Sequence, residues 1–157
     1  MFGRRHFLWS TAVAVVAATA AGCSGDSNDS PTEPTPQLPQ GPATLQITDL
    51  TVGEGTEATS GRSVFIHYVL WRYDPAGTDA KGLQIDSSIA RNQPFGFTIG
   101  STGAIVGMSQ GVIGMKVGGK RRLIVPPSLA YGSTGTSQGE VRPNEWIVFD
   151  VELLAVA

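Results

Sequence analysis

The residues able to do chemistry are few, and their types exclude most reaction classes. One cysteine, Cys23, and two histidines, His6 and His67, occur in 157 residues. A single thiol allows no internal disulfide. These three residues cannot assemble a cluster with zinc spacing, and no Ser-His-Asp set is expected from them. No Walker-type or dinucleotide glycine motif occurs. The chemistry is therefore expected to proceed without metal, cofactor or covalent nucleophile. What stands out instead is "KVGGKRRLIVPPSLAYG", Lys116 to Gly132. In it, three adjacent cations run into an apolar stretch, a double proline and a Tyr-Gly corner.

Lys120, Arg121 and Arg122 raise the question of a nucleic-acid patch, and two observations oppose it. The formal net charge is −2, and without Arg4 and Arg5 the balance is 9 basic to 13 acidic residues, or −4. A mildly acidic chain lacks the electrostatic footprint of a general nucleic-acid binder. Alternation along "KRRLIV" also splits the cations. Leu123 and Val125 point inward with Arg121 at the end of their row, while Lys120 and Arg122 point outward. Charges placed this way solvate a strand and discourage edge pairing. No nucleic-acid partner is expected.

The elements that carry these residues are mostly strands. Twenty glycines and ten prolines favour many turns and a β-rich fold. "LQITDLTV" alternates until Gly53 and Gly55 break it. "SVFIHYVLWRY" puts Val64, Ile66 and Tyr68 on one face and Phe65 and His67 on the other. "DPAGTDAKG" reads as a loop, and "LQIDSS" and "FGFTIG" as short strands. In "AIVGMSQGVIGM" the period changes, with Met108, Val112 and Met115 on one face of a short helix near 108–115. "EWIVFDVELLAV" sets Ile147, Phe149, Val151 and Leu153 on one inward face.

The first 43 residues have a different texture. Arg4 and Arg5, a largely apolar run from Phe7 to Ala18, and the small residues Ala20, Ala21 and Gly22 have the three parts of a secretory signal. The apolar run is too short to span a bilayer comfortably. The end of this segment resembles a bacterial lipoprotein signal, which implies removal of residues 1–22 and lipidation of Cys23. "RRHFL" resembles a twin-arginine export signal, so the export route stays open. "SGDSNDSPTEPTPQLPQGP", Ser24 to Pro42, is polar and proline-spaced. It reads as part of a disordered linker over 23–43, ahead of a domain over 44–157. The expected location is the cell envelope, with a lipid anchor as the only membrane attachment.

Taken singly, the polar and aromatic residues of the domain have bland readings. Asp86 before two serines suits a turn or helix cap. Tyr131-Gly132 suits a corner, and Phe97 and Phe149 suit plain core. Taken in order, "VFIHY", "LQIDSSIARNQPFGFTIG", "AIVGMSQGVIGMKVGGKRRLIVPPSLAYG" and "RPNEWIVFDVELL" resemble the FKBP-type peptidyl-prolyl cis–trans isomerases. The resemblance covers nearly all of Leu45 to Leu154. It implies an α+β fold, a twisted antiparallel sheet of about five strands wrapped around one short helix. It also likens "VLWRYDPAGTDAKG" to the longer loop that many bacterial members have after the His-Tyr strand.

The resemblance further implies an apolar cleft between sheet and helix. Tyr68, Phe95, Phe149 and Met108 would line a proline pocket, with Ile85 and Ile105 beside it. Asp86 and Arg91 would form a polar wall. Tyr131 and the Ile105 backbone N–H would hydrogen-bond substrate carbonyls, and Val141 would sit on a flap. Ile85 stands where the family usually has Phe, Met108 where it often has Trp, and "VRP" departs from the usual flap. The implied activity is acceleration of X–Pro rotation in exported polypeptides, through desolvation and transition-state binding. Macrolides of the rapamycin type, which the family binds, are implied as inhibitors. The alternative is a cell-envelope module that holds a partner's proline motif without turnover. A purely structural use of the fold would leave the cleft obstructed.

Overall fold

The structure, a computed structural model, describes residues 37–157. The expected signal segment, Cys23 and most of the linker lie outside the described residues. Six strands and one α-helix follow in chain order among the described residues. They are β1 (Gln46–Thr51), β2 (Ser63–Tyr73), β3 (Lys81–Ser87), β4 (Phe95–Thr98), α1 (Val106–Val112), β5 (Lys120–Val125) and β6 (Ile147–Val156). All strand pairs are antiparallel, in the order β1-β5-β6-β2-β3. The sixth strand, β4, pairs with Ser63–Ile66 of β2, while β3 pairs with Val69–Tyr73. β3 and β4 thus share one lane, so six strands make a sheet five lanes wide.

Period-two patterning decides which face is buried. On β2, Val64 and Ile66 are fully buried and Phe65 is exposed. On β6, Ile147, Phe149, Val151 and Leu153 all join the core. Burying one such side chain is worth about 1.5–3 kcal/mol relative to exposure. β1 departs from this logic. It is an edge strand with both faces exposed, so its alternation does not translate into burial.

The helix differs from the sequence expectation. It spans Val106–Val112 and ends before Met115, because Ile113 turns out of it and Gly114 adopts φ +76°. Met115 is nonetheless buried, beyond the last turn. The helix lies close against β5 because its inner face carries glycine. A Cβ on Gly107 would stand 2.4 Å from Val125 Cγ1, and one on Gly111 would stand 2.4 Å from Leu123 Cδ1. The segment after the His-Tyr pair also differs. β2 continues to Tyr73 and pairs back onto Lys81, so half of "VLWRYDPAGTDAKG" is hairpin strand rather than loop.

The three cations are each engaged by carboxylates. Arg121 is buried. Its Nε donates to Asp49 at 2.6 Å, and its Nη1 donates to the Gly111 and Ile113 carbonyls at the end of α1. Arg122 pairs with Asp150 and Asp79, and Lys120 with Glu152. Burial of Asp150 opposes its charge. Hydrogen bonds from Arg122 and Lys81, and their positive charges, outweigh that and hold its carboxyl below the usual carboxylate value. Ahead of the sheet, the Trp146 indole N–H donates to the Pro42 carbonyl at 2.9 Å. Gly41 packs on the same ring, so the folded part reaches back past residue 44.

Candidate active site

A cavity of about 520 Å³ opens between the sheet and the N-terminal end of α1. Its apolar wall follows from strand alternation. Tyr68 and Leu70 come from the inward face of β2, Ile85 from β3, Phe95 from β4 and Phe149 from β6. Met108, on the first turn of α1, supplies the floor and is only 3% exposed. The rings meet edge to face, Tyr68 to Phe95 at 6.0 Å and Tyr68 to Phe149 at 5.8 Å between centroids. Phe97 stacks on Phe95 at 5.5 Å from behind and belongs to the core.

The polar wall is hydrogen-bonded within itself. Tyr68 Oη donates to Asp86 Oδ2 at 2.6 Å, and the Ser87 N–H donates to Asp86 Oδ1 at 2.7 Å. Arg91 forms an ion pair with Asp86 and also donates from Nη2 to Tyr68 Oη at 3.1 Å. A carboxylate held this way orients a phenol. Arg91 itself does not line the cavity. It lies in the turn after β3, is exposed, and reaches Asp86 and Tyr68 from there.

Two donors face the opening without a partner among the described residues. The Tyr131 hydroxyl makes no internal hydrogen bond, and neither does the Ile105 N–H at the residue preceding α1. Burial, then the charge of Glu140, pushes the Tyr131 phenol above its ordinary value of 10.0. It therefore stays protonated and able to donate at neutral pH. The loop after Tyr131 is pinned over the cavity. Thr136 N–H donates to the Val141 carbonyl at 2.9 Å, Val141 N–H to Thr136 Oγ1 at 3.0 Å, and Asn144 N–H to the Gly132 carbonyl at 2.8 Å. Val141 is thereby packed into the rim and is 1% exposed.

Of the ten residues expected at the cleft, nine line this cavity: Tyr68, Ile85, Asp86, Phe95, Ile105, Met108, Tyr131, Val141 and Phe149. The sequence reading missed Leu70, Thr102, Gly103, Ala104, Thr136 and Glu140. Leu70 could have been found, since it follows Tyr68 by two on one strand. Glu140 adjoins Val141. Thr136 carries no sequence signal, because only the fold of the loop brings it to the rim.

The model of the FKBP-type peptidyl-prolyl cis-trans isomerase family matches residues 54–154. An FK506-binding protein of Streptomyces anulatus is 41% identical over 115 residues, covering 73% of this chain and 88% of that protein. One of Neisseria meningitidis serogroup A is 39% identical over 113 residues, covering 72% and 96%. The crystal structure of AtFKBP13 is similar with a TM-score of 0.60 at 35% identity, covering 72% of this chain and 93% of that one. That of FkpA from Escherichia coli has a TM-score of 0.59 at 34% identity, covering 71% and 47%. Sheet, helix, aromatic cavity and relatives agree, and the chain belongs to the FKBP-type peptidyl-prolyl cis–trans isomerases.

Proposed function

We propose that this chain accelerates X–Pro rotation in exported polypeptides by holding the proline in the cavity between β2, β6 and α1. The observation that carries this reading is the pairing of an aromatic cavity with two unengaged donors at its mouth, Tyr131 Oη and Ile105 N–H. An open cavity of this size also argues against a purely structural use of the fold.

The uncatalysed barrier, about 18–20 kcal/mol, comes from amide resonance. In the planar ground state the carbonyl is polar and well solvated. In the twisted state resonance is lost and the carbonyl carries less charge. Walls made by Tyr68, Phe95, Met108 and Phe149 replace water, which disfavours the planar amide more than the twisted one. Tyr131 and the Ile105 N–H donate to carbonyls flanking the bond and hold the chain in a turn. Binding that grows at the twisted state lowers the barrier. Two neutral hydrogen bonds realised there supply about 1–3 kcal/mol, or one to two orders of magnitude in rate. Asp86 and Arg91 position Tyr68. No bond breaks, so no nucleophile or general base is needed.

Arg4 and Arg5, the apolar run, and the small residues before Cys23 support delivery to the cell envelope with a lipid on Cys23. Resemblance to proteins described as FK506-binding supports macrolides as ligands of the same cavity. Isomerisation of a proline-containing peptide by the purified chain tests the reading. Catalysis at sub-stoichiometric protein is expected. Saturable binding with no acceleration would instead make the domain a proline-motif module.

A further inference from the structure

We propose that Glu140 makes the cleft select prolines flanked by a lysine or arginine. The inference rests on the cavity being the isomerase cleft and assigns that cleft a substrate preference. Two acidic residues line the cavity, Asp86 and Glu140. Asp86 is neutralised by its ion pair with Arg91. Glu140 has no ion-pair partner among the described residues. The nearby arginines are committed elsewhere. Arg142 pairs with Glu145 at 2.8 Å. Arg72 faces Glu145 at 3.7 Å and donates only to the backbone carbonyl of Glu140, at 3.0 Å.

The position of Glu140 is fixed even though its side chain is solvated. Its carbonyl is held by Arg72, and the Val141 N–H that follows is held by Thr136 Oγ1 at 3.0 Å. Its negative charge is felt at the substrate donor, since it helps keep the Tyr131 phenol protonated. A peptide whose carbonyl accepts from Tyr131 therefore passes within reach of the Glu140 carboxylate. Among the described residues, no cationic side chain lines the cavity to offset it. A cation beside the proline gains an ion pair, and an anion there meets an uncompensated like charge.

The test compares kcat/KM for proline peptides carrying Lys, Gln or Glu on either side of the X–Pro pair, with the full chain and its Glu140→Gln variant. An exposed pair of this kind is worth roughly two- to fivefold. The wild type is expected to favour Lys over Glu by about that factor or more at low salt. Because the charge is exposed, the preference should shrink at high ionic strength. Glu140→Gln should abolish it, bringing the ratio of the Lys to the Glu peptide rates to about one. Equal rates for all three peptides, or a preference that survives Glu140→Gln, would overturn the assignment with the isomerase reading intact. Failure to isomerise even the Gln peptide would overturn both.

Discussion

Tyr131 carries the most exposed part of the mechanism, because its hydroxyl has no internal partner to replace a lost substrate bond. Tyr131→Phe removes the donor and keeps the ring. It should lower kcat/KM for peptides about tenfold, the equivalent of one hydrogen bond near 1.4 kcal/mol, with unchanged thermal stability. Since burial raises the phenol's pKa, the neutral form persists through ordinary alkaline conditions. The stabilising effect of that buried neutral phenol is present below about pH 10 and fades as pH rises through the shifted value. A pH–rate profile should show no Tyr131 inflection below about pH 10. Met108 makes a different prediction. A thioether floor is adaptable where an indole is flat and rigid. Met108→Trp should leave peptide turnover within about threefold and tighten binding of a rapamycin-type macrolide by about two- to tenfold. If inhibitor titration shows neither quantity changing, Met108 does not contact ligands in the cleft.

At the scale of elements, the approach of α1 to β5 sets the depth of the cavity floor. Gly111→Ala would raise helix propensity by about 1 kcal/mol. The added methyl, however, would stand 2.4–3.0 Å from Leu123 Cδ1, Cδ2 and Cγ, in a side chain with no exposure and no room to yield. Overpacking of this kind costs about 1–3 kcal/mol. The variant should melt several degrees lower, and a gain in melting temperature would show that the helix has slack. The strands that place the site were legible because period two fixes their faces. Val64, Ile66 and Tyr68 turn inward on β2, as do Phe149 and Leu153 on β6. Motif register placed Tyr131 and Asp86 within the cavity wall. The helix end was not legible, because Met115 keeps the apolar period after Gly114 has broken the backbone. Arg91 sits outside the wall for a similar reason. Its spacing from Asp86 allows the ion pair, but the spacing does not decide whether the side chain joins the cavity lining. The loop contacts of Thr136 and Glu140 depend on tertiary hydrogen bonds with no local signature.

On the scale of the whole molecule, the sheet and helix enclose a cleft walled by apolar rings, and the strand ion pairs lie outside its lining. The strand cations are spent on Asp49, Asp79, Asp150 and Glu152. The single thiol, the small residues before it and the proline-rich stretch after it support a lipid tether holding this domain at a membrane. Cys23→Ser should therefore shift the protein into the soluble envelope fraction or leave its signal uncut. Fractionation that finds the variant membrane-bound with its signal removed would rule out a lipid on Cys23. In the proposed mechanism the cavity lowers the rotational barrier by apolar binding and hydrogen bonding alone. Its most direct test is magnetisation-exchange NMR on a Leu-Pro peptide with the purified chain, in light and heavy water. Faster cis–trans exchange at sub-stoichiometric protein, a solvent isotope effect near unity because no proton is transferred, and about a tenfold drop with Tyr131→Phe are expected. Exchange no faster than in free peptide, or a large isotope effect, would contradict it.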